Sequence, residues 1–219
     1  MEVQSYFDNK KQLPYIIHRG KKLYFPNDLE CNISECYKAL AVEQDPESSH
    51  RYVESFCDLE GKTVLDIGAA EGMFSLDVID FVHKIYIFEF DEKWIKALEA
   101  TFECWKEKVT IVKKYVNNVS DTENITIDDY MKEKMCNELF IKIDVEGAEQ
   151  TVLEGALETL NKIPQINLAV CTYHKEKDAE EIAKTFTDLG IEYTFSSGYL
   201  FYEKQLRKAL IRGSKKNKR

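Results

Sequence analysis

Asp144, Glu146 and Glu149 fall within Ile141 to Ala156, IKIDVEGAEQTVLEGA, where an apolar run ends in carboxylates, passes through Gly147 and becomes an amphipathic helix pattern. Open α/β sheets hold their ligands in the crevice outside the carboxyl ends of the strands, so acids delivered there are placed for chemistry. Asp144 and Glu146 are two residues apart and share one face if the extended chain continues, which makes both candidates for orienting a substrate or taking its proton. Glu149 lies in the first helical turn and reads as an acid stabilised by the positive end of that helix. His174, in CTYHK, follows the next apolar run and enters the same crevice; it is the first candidate for general base. His50, with Arg51 and Tyr52 in PESSHRY, lies on an N-terminal segment able to close over the crevice, and His18 and His83 are assigned no role.

A second strand-to-helix turn lies upstream. Thr63 to Ile67 (TVLDI) runs into Gly68, Ala69, Ala70, Glu71 and Gly72. Glycines at such a turn let a ligand touch the backbone where a Cβ would obstruct it. The pattern is D-x-G-x-x-x-G rather than the G-x-G-x-x-G of dinucleotide sites, and Asp66 stands just before the turn. An anionic pyrophosphate disfavours that acid; a ligand carrying an ammonium and a sulfonium welcomes it. Glu89, at the end of the next strand, is placed to accept ribose hydroxyls, and Asn117, after the third strand, to meet adenine edges. Together these point to S-adenosylmethionine, held by Asp66, Gly68, Ala69, Gly72, Glu89, Asn117 and Asp144, with His174, Asp144 and Glu146 catalytic. Asp144, Glu146 and His174 are also ligand types for a hard ion, but oxygen-ligand sites need several acids in a geometry that sequence does not show, and no metal is expected.

The elements that must position these groups read as a βαβ alternation, the rhythm of a mostly parallel sheet. Strands are predicted at 63–67, 84–89, 109–113, 139–144 and 166–171, and helices at 72–81, 92–106, 148–161 and 178–189, the last capped by Gly190. Residues 191–195 and 199–202 alternate around Ser196-Ser197-Gly198 and read as a closing hairpin. Residues 1–55 lack a clean period, apart from a helix between Leu29 and Val42, and form an N-terminal helical or mixed cap. The main domain is assigned to 56–203 and a basic tail to 204–219.

The chain has 219 residues and 44% hydrophobic residues, enough for one large α/β domain. A net charge of -9 argues against a nucleic-acid partner. From Lys204 to Arg219, however, there are eight Lys/Arg and no Asp/Glu. That tail reads as a solvated terminus, with weak contact to an anionic surface as its functional alternative. The cysteines (Cys31, Cys36, Cys57, Cys104, Cys136, Cys171) show no CxxC and read as reduced, buried thiols. No leader pattern and no stretch of 18 apolar residues appears, so the expected location is cytoplasmic, without a membrane span. Oligomeric state is not legible.

Asp66 to Gly72, Phe88-Glu89, Thr126 to Tyr130 (TIDDY) and Lys142 to Glu149 (KIDVEGAE), followed by VLEGA, together resemble the FkbM-type methyltransferases over residues 43 to 203. The resemblance extends to EQDPESSHRY and to CTYHK; Phe90 stands where that family commonly has proline. It implies a Rossmann-like class I methyltransferase fold, with a seven-stranded mostly parallel sheet, an antiparallel last strand and helices on both faces. It also implies S-adenosylmethionine as cofactor and a hydroxyl of a carbohydrate or natural-product intermediate as acceptor, a small molecule or glycan. The alternative reading is a non-catalytic scaffold or regulator that binds the same cofactor.

Overall fold

The computed structural model describes residues 3–29 and 32–217. The N-terminal part is an antiparallel meander of β1 (Ser5–Asp8), β2 (Leu13–His18) and β3 (Lys21–Tyr24), followed by α1 (Ile33–Glu43), which Asn32 caps by accepting from Ser34 N. Ile16, Leu23 and Phe25 are buried in the same apolar cluster as the central sheet, so the meander packs on the main core.

The central elements follow as β4 (Thr63–Ile67), α2 (Met73–Val78), β5 (Lys84–Phe88), α3 (Glu92–Thr101), β6 (Val109–Val112), the short pair β7 (Tyr115–Val116) and β8 (Asn124–Ile125), α4 (Ile127–Met131), β9 (Glu138–Ile143), α5 (Glu149–Glu154), α6 (Leu157–Lys162), β10 (Gln165–Cys171) and α7 (Asp178–Asp188). The chain closes with β11 (Glu192–Phe195), β12 (Leu200–Tyr202), β13 (Gln205–Arg207) and β14 (Leu210–Lys216). Seven strands form one sheet in the order β11-β14-β10-β9-β4-β5-β6, with β4, β5, β6, β9 and β10 parallel and β14 antiparallel to both its neighbours. The period of two divides its side chains between two cores. Val64, Ile85, Ile87 and Phe140 join α2 and α3 on one face; Leu65, Phe88, Leu139 and Ile141 join α5, α6 and α7 on the other.

The parallel strands fall within a residue of the predicted spans, because short β-branched runs bounded by turn residues admit little else. Three readings need correction. The predicted helix 148–161 is two helices: Gly155 sits where a Cβ would lie 2.2 Å from the Asn117 carbonyl oxygen, and Asp128 of TIDDY then starts α6 by accepting from Glu158 N and Thr159 N. The closing hairpin does not form, since β11 pairs with β14 and β12 with β13. The basic tail is not a frayed terminus. β14 is inserted between β10 and β11, with Leu210 and Ile211 fully buried, and Arg212 donates to the Arg51 and Tyr52 carbonyl oxygens. Its charges sit on a strand whose apolar residues decide its place. The thiols are also more varied than expected. Cys57 and Cys104 are exposed, Cys36 is disulfide-bonded, and Cys31 lies outside the described residues. No helix among the described residues is long and apolar enough to cross a membrane.

Candidate functional site

From β4 the chain adds β5 and β6 on one side, and from β9 it adds β10 on the other. The strand order therefore reverses between β4 and β9, and a crevice opens at their carboxyl ends. Gly68 leaves β4 and Asp144 leaves β9 at this point. A Cβ on Gly68, whose φ is +74°, would lie 1.9 Å from the Asp144 carbonyl oxygen. Only glycine lets the two strand ends meet.

A cleft of about 490 Å³ opens there, lined among others by Gly68, Ala70, Glu89, Tyr115, Asp144 and Glu146. Glu89 holds its rim: Oε2 accepts from Ala70 N, and Oε1 from Phe90 N and Asp91 N. Beside it Phe90 and Tyr115 stack with ring centroids 3.9 Å apart. Asn117, expected on this wall, is not among the lining residues; its side chain bonds Asn124 and Asn118 N within its own loop. Gly72 is also set apart from the cleft. It starts α2 at φ +79°, packed so closely on α3 that a Cβ would meet Leu98 at 2.7 Å. Ala69 is buried and lines a smaller cavity of about 100 Å³ on the other side of the turn. A cavity of about 500 Å³ at the β6 edge, lined by Lys11, Lys96, Glu99, Glu103, Lys106 and Lys113 with neighbouring apolar residues, lies away from these strand ends.

Asp66, expected to meet the ligand, is instead spent inside the protein. Its side chain is 1% exposed, accepts from Ser75 Oγ at 2.6 Å and lies 3.1 Å from Lys142 Nζ. Lys142, which the sequence reading passed over, also donates to the Gly68 carbonyl. Burial opposes its charge, yet Asp66 and Asp144 hold its pKa above the usual lysine range, so the ammonium persists. Asp66 and Lys142 form a buried ion pair that ties β4 to β9 beneath the site. The lysine in the middle of an apolar strand, IKIDV, was the available signal.

Above this pair Asp144 is a hub. Its Oδ2 accepts from the Tyr52 hydroxyl at 2.7 Å and lies 3.8 Å from His50 Nε2, while Oδ1 lies 3.6 Å from His174 Nε2. Burial alone would raise the Asp144 pKa, but Lys142, His50, Tyr52 and His174 hold it below the usual carboxylate range. The N-terminal segment does close over the crevice through His50 and Tyr52. Arg51 instead braces its own loop by donating to Val53 O and Gln44 O.

The extended chain does not persist past Ile143. Glu146 adopts φ +53°, leaving its side chain 85% exposed while that of Asp144 is 17% exposed, so the two do not share a strand face. Both nonetheless reach His174, whose Nε2 is 3.5 Å from Glu146 Oε2. Glu149 has a larger part than a helix-start charge. Fully buried, it accepts from His174 Nδ1 at 2.7 Å, from Val145 N and from Gly147 N. This fixes the turn and the imidazole together, leaving Nε2 buried, without a hydrogen-bond partner among the described residues and facing Asp144 and Glu146. Burial works against the imidazolium, but the bond to Glu149 and the nearby acids outweigh it and raise the His174 pKa above its ordinary value. Sequence spacing gave no sign that Glu149 and His174 meet. Among the described residues, Asp144, Glu149 and His174 lie close enough together to share a metal ion, as do His50, Asp144 and Cys171.

The model of the FkbM methyltransferase domain matches residues 18–193. The chain belongs to the FkbM methyltransferase family. An FkbM methyltransferase from Methylobacillus flagellatus KT is similar in structure, with a TM-score of 0.57 and 15% identity over 77% of this chain and 50% of that one. This FkbM chain thus spans half the length of that protein. Trm5b from Pyrococcus abyssi gives a TM-score of 0.52 at 15% identity, covering 97% of the FkbM chain and 62% of its own. SMU.1697c from Streptococcus mutans, solved in complex with SAH, gives 0.50 at 11% identity over 73% and 92% of the two chains. At these identities the likeness establishes the methyltransferase fold for the FkbM chain. Among curated proteins none matches.

Glu149→Gln will separate orientation from charge. A base must be unprotonated to act, so if His174 is the base, activity falls as pH drops through its pKa, which Glu149 raises. Losing that carboxylate will move the acid limb of the kcat profile to lower pH, while the maximal rate falls because the ring is less firmly held. An unchanged midpoint would dismiss the coupling.

Proposed function

We propose that the protein transfers the methyl group of S-adenosylmethionine to a hydroxyl of a carbohydrate or related natural-product intermediate, in the cytoplasm. The observation that carries this reading is the unpartnered His174 Nε2, held by Glu149 and facing the two acids at the rim of a glycine-turned cleft. The residues fit the cofactor. Glu89 retains acceptor capacity for ribose hydroxyls, the Phe90–Tyr115 stack offers an apolar slab for a base, and the acidic lining suits a cation. When bound, the cofactor supplies an electrophilic methyl group on a sulfonium.

The chain's own task is to place the acceptor oxygen and receive its proton. Glu149 holds Nδ1–H, so neutral His174 presents the Nε2 lone pair and takes the hydroxyl proton there. Glu149 on Nδ1–H takes the part that the buried aspartate plays beside the histidine of serine hydrolases, and the ionised Asp144, 3.6 Å from Nε2, adds a second negative charge that stabilises the imidazolium. Exposed Glu146 orients the acceptor's other hydroxyls at the rim. Incubation with methyl-labelled S-adenosylmethionine and a panel of sugars, glycosides and matched amines tests the acceptor class. Label in an alkali-stable ether is the expected product; label on amines alone would sink the assignment to oxygen.

A further inference from the structure

We infer that His50, Asp144 and Cys171 form a binding site for a borderline-soft divalent cation, with zinc as the fitting ion. The three come from separate parts of the chain: His50 from the N-terminal segment, Asp144 from the end of β9 and Cys171 from the end of the neighbouring β10. Their donor atoms converge, no two of them more than 4.8 Å apart. His50 Nε2 lies 3.6 Å from Cys171 Sγ and 3.8 Å from Asp144 Oδ2. A ring N–H bonds an oxygen at about 2.7–3.2 Å, so Asp144 is too distant to satisfy Nε2, and sulfur is a weak acceptor. Tetrahedral zinc, roughly 2.0–2.3 Å from its nitrogen, oxygen and sulfur ligands, sets neighbouring donors about 3.3–3.8 Å apart. The spacing is that of donors around an ion, wider than that of hydrogen-bond partners.

The imidazole is already held for this task. His50 is 3% exposed, with its ring packed edge-on against Tyr52 and Tyr173. Its Nδ1 is buried without a hydrogen-bond partner among the described residues and lies 4.0 Å from Glu43 Oε2. A metal on Nε2 fixes the proton on Nδ1, and a carboxylate behind that proton is the usual outer partner of a ligating histidine. Tyr52 holds Asp144 Oδ2 with one hydrogen bond and leaves it a lone pair for the ion. The charges balance, since Lys142 beneath is paired with Asp66, and the Asp144 carboxylate and a Cys171 thiolate together match a dication. On binding, the Cys171 thiol gives its proton to solvent and the sulfur lone pair goes to the metal. Thiolate and imidazole select zinc over a hard ion, and water from the cleft that Asp144 lines fills the fourth position. The occupied site draws the Asp144 charge away from His174 and so brakes methyl transfer; that consequence rests on the proposed function, whereas the binding does not.

Cobalt(II), a spectroscopic stand-in for zinc, tests the site by titration in a chain whose exposed Cys57 and Cys104 are changed to serine. The expected result is visible absorbance of tetrahedral cobalt together with a near-ultraviolet thiolate-to-cobalt band, both abolished by added zinc. Cys171→Ser in that background should lose the thiolate band, with a thermal melt reporting its fold. Glu43→Gln, at a half-exposed side chain that the fold does not depend on, should keep the band and weaken cobalt by about tenfold or more, the usual cost of losing an outer partner. No thiolate band at millimolar cobalt, or a band that survives in folded Cys171→Ser, would overturn the inference.

Discussion

Replacing Lys142 with methionine will lower the stability of the fold by about 3–5 kcal/mol, the cost of leaving a buried charge without its partner. The Lys142 and Asp66 side chains are 4% and 1% exposed, so bulk solvent is a poor substitute for the ammonium beside that carboxylate. Ser75 would remain as the one neutral donor to Asp66, with Asp144 also losing a nearby positive charge. For a chain of this size the change corresponds to a drop in Tm of roughly 6–20 °C. Pairing the substitution with Asp66→Asn removes the stranded charge and should recover part of the loss in a double-mutant cycle. A single variant as stable as the wild type in urea titration would show that the pair does not hold β4 to β9.

Replacing His174 with alanine has the largest expected effect on activity. General-base catalysis contributes about 10²–10⁴-fold, so kcat should fall by that factor. His174 does not line the cleft or the small cavity behind the turn, so affinity for S-adenosylhomocysteine should be nearly unchanged. Added imidazole should restore part of the rate, because truncation leaves a space beside Asp144 and Glu149 that the free base can enter. A rate within about threefold of the wild type would remove His174 from the chemistry and leave positioning as the main source of catalysis.

The sheet was legible because its signals are local. TVLDI, KIYIF and QINLAVC are short β-branched or apolar runs ending at turns, and each became a strand close to its predicted bounds. Partners of the last strands were not legible, since alternation in 191–202 shows that residues extend but not which edge they meet. β14 took the place beside β10 because Leu210 and Ile211 complete the cores on the two faces, and because Gly213 lets Phe186 approach to where a Cβ would stand at 2.6 Å. Counting the charges of that segment hid its apolar residues.

At the site, strand-end position sufficed to bring Asp144, Glu146 and His174 together. It did not reveal that Asp66 is turned inward onto Lys142 and Ser75, because a carboxylate at the end of a strand looks the same whether it faces a ligand or a buried lysine. The roles of Glu149 and Tyr52 depend on contacts across 25 and 92 residues of chain, to His174 and Asp144, and no spacing rule reaches that far.

The most direct measurement is calorimetric titration of the purified protein with S-adenosylhomocysteine, alongside a Gly68→Val variant whose side chain would strike the Asp144 carbonyl and fill the turn. One-to-one binding to the wild type, lost in the variant, is the predicted result. No binding to the wild type at millimolar ligand would contradict the assignment of this cleft to methyl transfer.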